Sequence, residues 1–162
     1  MKSILENTME ITQRTATLDD AEVLLAWRNN PRSREFSQHS ELISPAEHLE
    51  WLSKRLERVN YEPYFIFLEG SKQIGMSRLD LVPGLADRYE ISILVDPSQQ
   101  GRGIGARILK MTCDSLSALL PIRTILAKVH VDNFISTRLF ENAGFVSQTQ
   151  LGHFHYFQKL LN

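Results

Sequence analysis

The chain has 162 residues, with 18 lysines and arginines against 19 aspartates and glutamates, and a formal net charge of −1 at pH 7. This length, with 43% hydrophobic residues, predicts one globular domain, in which residues 1–8 form a loose N-terminal leader. The balanced charge argues against nucleic acid or an anionic membrane surface as a partner. The single cysteine, Cys113, excludes an intrachain disulfide and a cysteine-rich zinc site. No apolar run reaches the roughly 20 residues of a membrane span, so we expect a cytoplasmic protein.

The N-terminal part of the chain reads as one strand followed by two helices. Weak alternation over residues 10–15 predicts an edge strand. Thr17-Leu18-Asp19-Asp20 has the spacing of a capping box, and the helix that it opens is expected to end at Asn29, before Pro31. Ser44-Pro45-Ala46-Glu47 is a stronger helix start, with a serine cap, a proline at the first position and a glutamate at the third.

The rest of the chain is dominated by strands. A helix is expected after a glycine-rich loop and up to Pro121, and a second one at 134–142, which Gly144 would cap. Buried or alternating apolar runs predict strands at 64–68, 73–81, 89–95, 124–131, 145–150 and 154–160. The resulting order β-α-α-β-β-β-α-β-α-β-β predicts an α+β fold with a mixed, mostly antiparallel sheet flanked by helices.

The glycine-rich loop is the most informative segment. Gly101, Gly103 and Gly105 stand between the end of a strand and the start of a helix, where backbone amides can surround a phosphate. The spacing of Gly101, Gly103 and Ala106 also fits the dinucleotide motif G-x-G-x-x-G/A, but the acid expected about 20 residues on is missing until Asp132. No Gly-Lys-Ser/Thr follows, so a Walker loop is absent, and a tight turn without a ligand is the remaining alternative.

Two motifs carry a resemblance to a known family. Gln100-x-x-Gly103-x-Gly105 resembles the pyrophosphate loop of the GNAT superfamily of acetyl-CoA-dependent N-acetyltransferases, and the run from Asn133 through Ser136 and Phe140 to Gly144 is similar to a second motif of that superfamily. The resemblance implies the GNAT fold over nearly the whole chain, acetyl-CoA as co-substrate and no metal. It also implies direct transfer of the acetyl group to an amine, without an acyl-enzyme.

The same resemblance implies roles for individual residues. Glu90, on the strand that runs towards the cofactor, would help to remove the proton of the amine; a solvated strand acid is the alternative. Phe140 stands where many GNAT enzymes have a tyrosine that protonates the CoA sulfur, so Ser136, a water or Tyr156 would replace it, or the thiolate would leave unprotonated. The implied cofactor-binding residues are Ile93, Leu94 and Val95 along the pantetheine arm, Gln100, Gly101, Arg102, Gly103, Ile104, Gly105 and Ala106 at the pyrophosphate, and Asn133, Ser136 and Phe140 at the pantetheine and thiol end.

The choice of the amine falls to the N-terminal half. Trp27-Arg28-Asn29, His48 with Trp51, and the run 74–80 resemble the GNAT branch that acetylates nucleotide-linked amino sugars in the pathways to pseudaminic and legionaminic acids. Parts of this pattern also occur in ribosomal-protein N-terminal acetyltransferases, so a protein N-terminus is the alternative substrate. A non-catalytic module that binds acyl-CoA is the alternative from another functional class. A monomer or a homodimer is expected.

The implied substrate-binding residues are Arg28, Asn29, Arg78 and Asp80. Arg28 shares the apolar stripe of its helix, so it either satisfies the last helical carbonyls or faces an anion of the ligand. Arg78 and Asp80 share a strand face, where an ion pair between them is the alternative to ligand binding. Both tryptophans are expected to pack in the core or at its rim, and His153 and His155, on one strand face without an acid or cysteine, predict no metal site.

Overall fold

A computed structural model describes residues 10–161, in which seven strands form one sheet in the order β1-β2-β3-β4-β5-β7-β6. This architecture confirms the predicted α+β class, a mixed and mostly antiparallel sheet flanked by helices. The strands are β1 (Ile11–Thr15), β2 (Tyr64–Glu69), β3 (Lys72–Leu81), β4 (Arg88–Val95), β5 (Thr124–His130), β6 (Val146–Leu151) and β7 (Phe154–Leu160). The α-helices are α1 (Ala21–Asn29), α2 (Pro31–Glu35), α3 (Pro45–Leu56), α4 (Ile104–Leu119) and α5 (Phe134–Asn142).

One pair of neighbouring strands, β4 and β5, is parallel, and the other neighbours are antiparallel. Pairing between β4 and β5 runs from Arg88 opposite Thr124 to Ile91 opposite Ala127, and there it stops. Strand β4 continues to Val95 along β3, while β5 continues along β7. The two parallel strands therefore separate in the middle of the sheet, and we call this opening the split.

Helices cover both faces of the sheet. On one face, Leu109 and Leu116 of α4 pack against Ile125 of β5 in a cluster that extends to α5. On the other face, Leu24 of α1 and Leu52 of α3 pack against strand β2 and neighbouring strands. Helices α4 and α5 therefore cover one face of the sheet, and helices α1 and α3 cover the other.

The local signals at helix ends are confirmed. The Ser44 hydroxyl accepts the amide of Glu47 at 3.2 Å, and the Glu47 carboxylate accepts the Ser44 amide at the same distance. The Asp20 carboxylate accepts the Thr17 amide at 2.8 Å. Gly144 ends α5 with a φ of +88°, in the left-handed region that favours glycine. Strand β1 lies at the edge of the sheet, as predicted.

Three predictions of local structure need correction. The first helix begins as a 3₁₀ turn, Leu18–Asp20, and a further short helix, α2, was not predicted. Pro31 was interpreted as a stop, but it is the first residue of α2, and the Asn30 side chain caps this helix by accepting the Arg32 amide at 3.0 Å. His153 lies in the turn before β7, so it does not share a strand with His155. The predicted leader, residues 1–8, lies outside the described residues.

No helix within residues 10–161 is long and apolar enough to cross a membrane.

Candidate active site

The split frees one edge of β4. From Ser92 to Val95 this strand has a partner only on the β3 side, so backbone groups that face β5 have no strand partner there. The predicted residues Ile93, Leu94 and Val95 all lie on this segment and are partly exposed. A ligand with amide groups can pair with such an edge as an additional strand would.

The glycine-rich loop forms a cradle at the start of α4. Gly101 and Gly103 have φ of +82° and +72°, and a Cβ on either residue would meet no atom within 4 Å. The first amides of a helix have no intrahelical partner, and in α4 no side chain caps them. These amides face outward at the positive end of the helix dipole. A Cβ added at Gly105 would lie 3.7 Å from Cγ2 of Val95, so the cradle lies beside the freed edge. An anion such as a pyrophosphate fits these donors.

The loop offers its backbone because its side chains have partners elsewhere. The side-chain oxygen Oε1 of Gln100 accepts a hydrogen bond from Arg32 of α2 at 3.3 Å. Arg102 pairs with Glu69 at 2.9 Å, and the side chain of Ile104 is buried in the core. Of the predicted pyrophosphate residues, Arg102 and Ile104 can therefore contribute their amides, while Ala106 lies exposed on the first turn of α4.

The second motif opens α5. The Asn133 side-chain oxygen accepts the Ser136 amide at 3.2 Å and so caps this helix. Phe140 is buried against Phe145, with 5.0 Å between the ring centroids. Phe134, which the sequence interpretation passed over, is 75% exposed beside Asn133.

Glu90 lies just before the split. It stands opposite Leu126 of β5 and Asp80 of β3, within the last paired stretch of β4. Burial raises the pKa of Glu90 and Asp80 adds to the rise, while Lys128 and Arg78 oppose it. A carboxylate whose pKa is raised from its ordinary acidic value is better matched to accepting a proton near neutral pH.

A cavity of about 490 Å³ lies on the α1 and α3 side of the sheet. It reaches Leu94, beyond the point where β4 leaves β5, so it is continuous with the freed edge. Its lining comes from α1 (Leu24, Arg28), the segment before α3 (His39, Glu41, Leu42, Ile43), α3 (Glu47, His48, Trp51) and the sheet (Tyr64, Met76, Arg78, Leu94).

Arg28 lies in this cavity. Its Nη2 donates to the carbonyl of His39, which lies outside the helix, and its Nη1 is buried without a protein partner. The alternative in which Arg28 satisfies the last carbonyls of its own helix is therefore not observed. Burial lowers the pKa of Arg28, and the positive charges of Arg34 and Arg78 lower it further.

Arg78 lines the same cavity, and an ion pair with Asp80 holds its side chain. Its Nε pairs with Asp80 at 2.8 Å, which confirms the predicted ion pair, although both residues belong to one strand. The other oxygen of Asp80 accepts from the buried Arg55 at 3.0 Å. Asp80 therefore holds Arg78 in place, and a direct contact between Asp80 and the substrate stays a prediction.

Asn29 is also held by hydrogen bonds within the protein. Its Nδ2 donates to the Ile43 carbonyl at 2.8 Å, and its oxygen accepts the Ile43 amide at 3.0 Å. Both ends of this side chain thus hold the segment that closes the cavity before α3. Asn29 therefore positions the segment before α3, and a direct contact between Asn29 and the substrate stays a prediction.

His48 is a cavity residue to which the sequence reasoning gave no role of its own. It is only 5% exposed, its Nε2 has no partner, and burial lowers its pKa. The sequence signal for its burial is its position four residues before the core residue Leu52, on the same face of α3. Its ring stacks on Trp51, which is 41% exposed at the rim, whereas Trp27 is in the core; both tryptophans confirm the prediction.

Among residues 10–161, no three His, Cys, Asp or Glu side chains come together as metal ligands.

Comparisons with known proteins agree with this geometry. A family model described as "Acetyltransferase (GNAT) domain" matches residues 10–146. YwnH of Bacillus subtilis strain 168, named as a candidate phosphinothricin acetyltransferase, is 26% identical over 140 residues, or 83% of each chain. The structure of spermidine N-acetyltransferase from Vibrio cholerae with CoA and spermine has a TM-score of 0.82, 22% identity, and covers 93% of this chain and 95% of its own. The structure of yncA from Salmonella typhimurium with acetyl-CoA has a TM-score of 0.76, 19% identity and 94% coverage of both chains.

The family model spans most of the described chain. The chain therefore belongs to the GNAT acetyltransferase family, and it is an N-acetyltransferase that uses acetyl-CoA.

Proposed function

We propose that the acceptor is the primary amine of a small molecule, an amino sugar linked to a nucleotide. The observation that carries this proposal is the cavity, which reaches from Leu94 at the freed edge to the polar groups of Arg28 and His48. A space of about 490 Å³ suits a sugar-sized molecule held by a few polar contacts. The resemblance of Trp27-Arg28-Asn29 to the amino-sugar branch supports the same class.

The cofactor residues act together at the split. When bound, acetyl-CoA supplies an acetyl thioester. The amides of Gly101 to Ala106 would hold its pyrophosphate, because they surround the uncapped start of α4. The freed edge from Ile93 to Val95 would pair with the pantetheine arm and direct it towards the cavity. Asn133 and Ser136 would flank the thiol end from the start of α5.

Glu90 would remove the proton of the amine. An ammonium has no lone pair, so the amine must lose a proton before it can attack a thioester. Glu90 shares its sheet face with Leu94, because the two residues are an even number of positions apart on β4, and Leu94 lines the cavity. The carboxylate accepts the proton directly or through a water.

The leaving thiolate has no tyrosine at the usual place. Phe140 cannot donate a proton, and it is buried in the core against Phe145. Ser136 in the first turn of α5 remains the nearest candidate donor by sequence, and Tyr156 lies on β7 opposite Lys128 of β5. A thiolate with a pKa near 8.5 is also a fair leaving group without a donor.

A second acceptor class is favoured by one relative. YwnH is named for phosphinothricin, an amino acid analogue, and this chain is 26% identical to it. The guanidinium groups of Arg28 and Arg78 in the cavity would suit the anionic groups of an amino acid as well as a nucleotide phosphate.

The experiment is a thiol-release assay with acetyl-CoA and a panel of amines. The panel holds a nucleotide-linked amino sugar, the free amino sugar, phosphinothricin, spermidine and a peptide with a free N-terminal alanine, and products are identified by mass. We expect the nucleotide-linked sugar to give the highest kcat/KM. Preferred turnover of the peptide or of spermidine contradicts the proposal, and preferred turnover of phosphinothricin selects the second class.

A further inference from the structure

Two buried nitrogen atoms in the cavity lack a partner. They are Nη1 of Arg28 and Nε2 of His48, and His48 is only 5% exposed. Nearly all buried polar atoms in folded proteins have a hydrogen-bond partner, and leaving a charged donor without one is costly. Two such atoms in the same cavity indicate partners that a ligand supplies.

The charges around Arg28 indicate the sign of that ligand. Arg34 and Arg78 lie near enough for their positive charges to lower the pKa of Arg28. Asp80, two residues after Arg78 on β3, already has Arg78 and Arg55 as partners.

The two glutamates of the lining do not neutralise Arg28 either. Glu47 accepts the Ser44 amide at the start of α3, and neither Glu47 nor Glu41 is among the charges that shift the pKa of Arg28. The Arg28 end of the cavity therefore carries excess positive charge.

We propose that Arg28 and His48 form a subsite for an acceptor that bears an oxyanion, a carboxylate or a phosphate. Arg28 Nη1 donates to an oxygen of the anion. His48 Nε2 contacts a neighbouring hydroxyl, which can accept or donate and so fits a neutral imidazole. The acceptor then spans the cavity, with its amine at Leu94 and its anion at Arg28.

This inference rests on the proposed small-molecule acceptor and narrows it. An amine without an anion leaves Arg28 unpaired in the complex, and a polyamine adds positive charge to the same end of the cavity. Both effects act as discrimination against the wrong acceptor. Nucleotide-linked sugars and amino acids carry the required group, and the two sources differ in whether it is a phosphate or a carboxylate.

Binding is measured by calorimetry in the presence of CoA, which lacks the acetyl group, so that no turnover occurs. Two matched pairs separate the sources: glucosamine 1-phosphate against glucosamine, and methionine against methioninamide. We expect at least one anionic member to bind about 10- to 100-fold more tightly than its neutral partner, the range for a hydrogen bond to a charged group.

Three variants assign the preference to Arg28. Arg28→Gln should abolish the preference for the anionic ligand, whereas Arg28→Lys, which keeps the charge, should retain part of it. Both variants lose the hydrogen bond to the His39 carbonyl, so thermal melting checks that each is still folded. Arg123→Gln is the matched control, because Arg123 is exposed just before the paired end of β5, away from the split. Its preference should equal that of the original chain.

Equal binding of both members of each pair, no binding of any anionic member, or a preference that survives in Arg28→Gln overturns the subsite. Anion preference without acetylated product for any amine of the panel contradicts the proposed function and leaves the subsite standing. Preferred acetylation of the nucleotide-linked amino sugar by a protein without anion preference in the binding pairs contradicts the subsite and leaves the proposed function standing.

Discussion

At the scale of single residues, Glu90 has the most demanding position. Its carboxylate must be ionised to accept a proton, yet burial beside Asp80 raises its pKa. Lys128 and Arg78 offset part of this effect and keep the ionised form accessible. The balance gives a base whose pKa lies closer to the working pH than that of an exposed glutamate.

Replacing Glu90 with glutamine should lower kcat by about 10²- to 10⁴-fold, the usual contribution of general base catalysis. The loss should be largest at lower pH, where the free amine is protonated, and should shrink as the pH rises. The check is a pH–rate profile from thiol release. Glu50→Gln, at an exposed position on α3, is the control and should match the original chain. Identical profiles for Glu90→Gln and the original chain would remove Glu90 from the mechanism.

The same variant has a signature in stability. Because the pKa of Glu90 is raised by folding, the folded state keeps the proton to a higher pH than the unfolded chain does. The free energy of unfolding then falls as the pH rises from about 4.3, the ordinary value for glutamate, through the folded pKa. Glu90→Gln should therefore be more stable than the original chain in urea at pH 8, with no difference at pH 4. If Glu90→Gln is less stable than the original chain at pH 8, folding does not raise the pKa of Glu90.

Phe140 tests how the thiolate leaves. Phe140→Tyr should raise turnover less than about tenfold if Ser136 or another donor already acts, since general acid catalysis is worth about 10²- to 10⁴-fold where it operates. Phe140→Leu should weaken acetyl-CoA binding more than it lowers kcat. Steady-state kinetics and titrations of both variants provide the comparison. A gain of a hundredfold or more in Phe140→Tyr shows that no substitute donor exists.

At the scale of elements, the cradle depends on backbone that only glycine adopts easily. Gly103→Val should weaken acetyl-CoA binding at least tenfold, because a side chain would occupy the open space above the amides of α4. The matched control is Gly84→Val, in the loop between β3 and β4: Gly84 also has a positive φ, of +77°, and open space around its Cβ. Calorimetry that shows equal affinity for the two variants in folded protein contradicts the cradle.

Gly75 fixes the freed edge from the other side. It lies opposite Val95 beside a bulge in β3, and an added Cβ would stand 2.8 Å from the Leu94 carbonyl and 2.6 Å from Ile108. The Ile108 terminus can move, but the β4 backbone cannot move without shifting the edge. Gly75→Ala should lower the free energy of unfolding by about 1–3 kcal/mol in urea.

Gly105→Ala is the control for this prediction, because its Cβ would meet atoms no closer than 3.6 Å. Its unfolding midpoint should equal or slightly exceed that of the original chain, because alanine is the better helix residue. Equal stability of Gly75→Ala and Gly105→Ala would contradict the prediction, because it would show that the β4 backbone moves to accommodate the added Cβ.

At the scale of the whole molecule, the sequence predicts those features that residues close together in the chain determine. The capping box at Ser44, the helix end at Gly144 and the glycine cradle are each written within a few residues, and the structure has all three. The short helix α2 was also readable, since Asn30 before Pro31 is a cap followed by a first-turn proline. That signal was assigned to the end of the preceding helix instead.

The cavity could not be read in this way, because distant segments build it. Arg28 and His48 are 20 residues apart in the chain, and Arg78 and Leu94 come from two further strands. Nor does a helix pattern reveal that Arg55 is only 1% exposed, with Asp80 and two backbone carbonyls as partners. Sequence motifs thus indicated the cofactor, whereas the groups that face the acceptor depend on tertiary packing.

The central claim is that acetyl-CoA lies along the freed edge of β4 and on the start of α4. Hydrogen–deuterium exchange with and without saturating acetyl-CoA tests it most directly. We expect slower exchange for the amides of Ser92–Val95 and Gly101–Ala106, with the edge strands β1 and β6 changing least. Unchanged exchange in both segments, while calorimetry shows the ligand bound, would contradict the account.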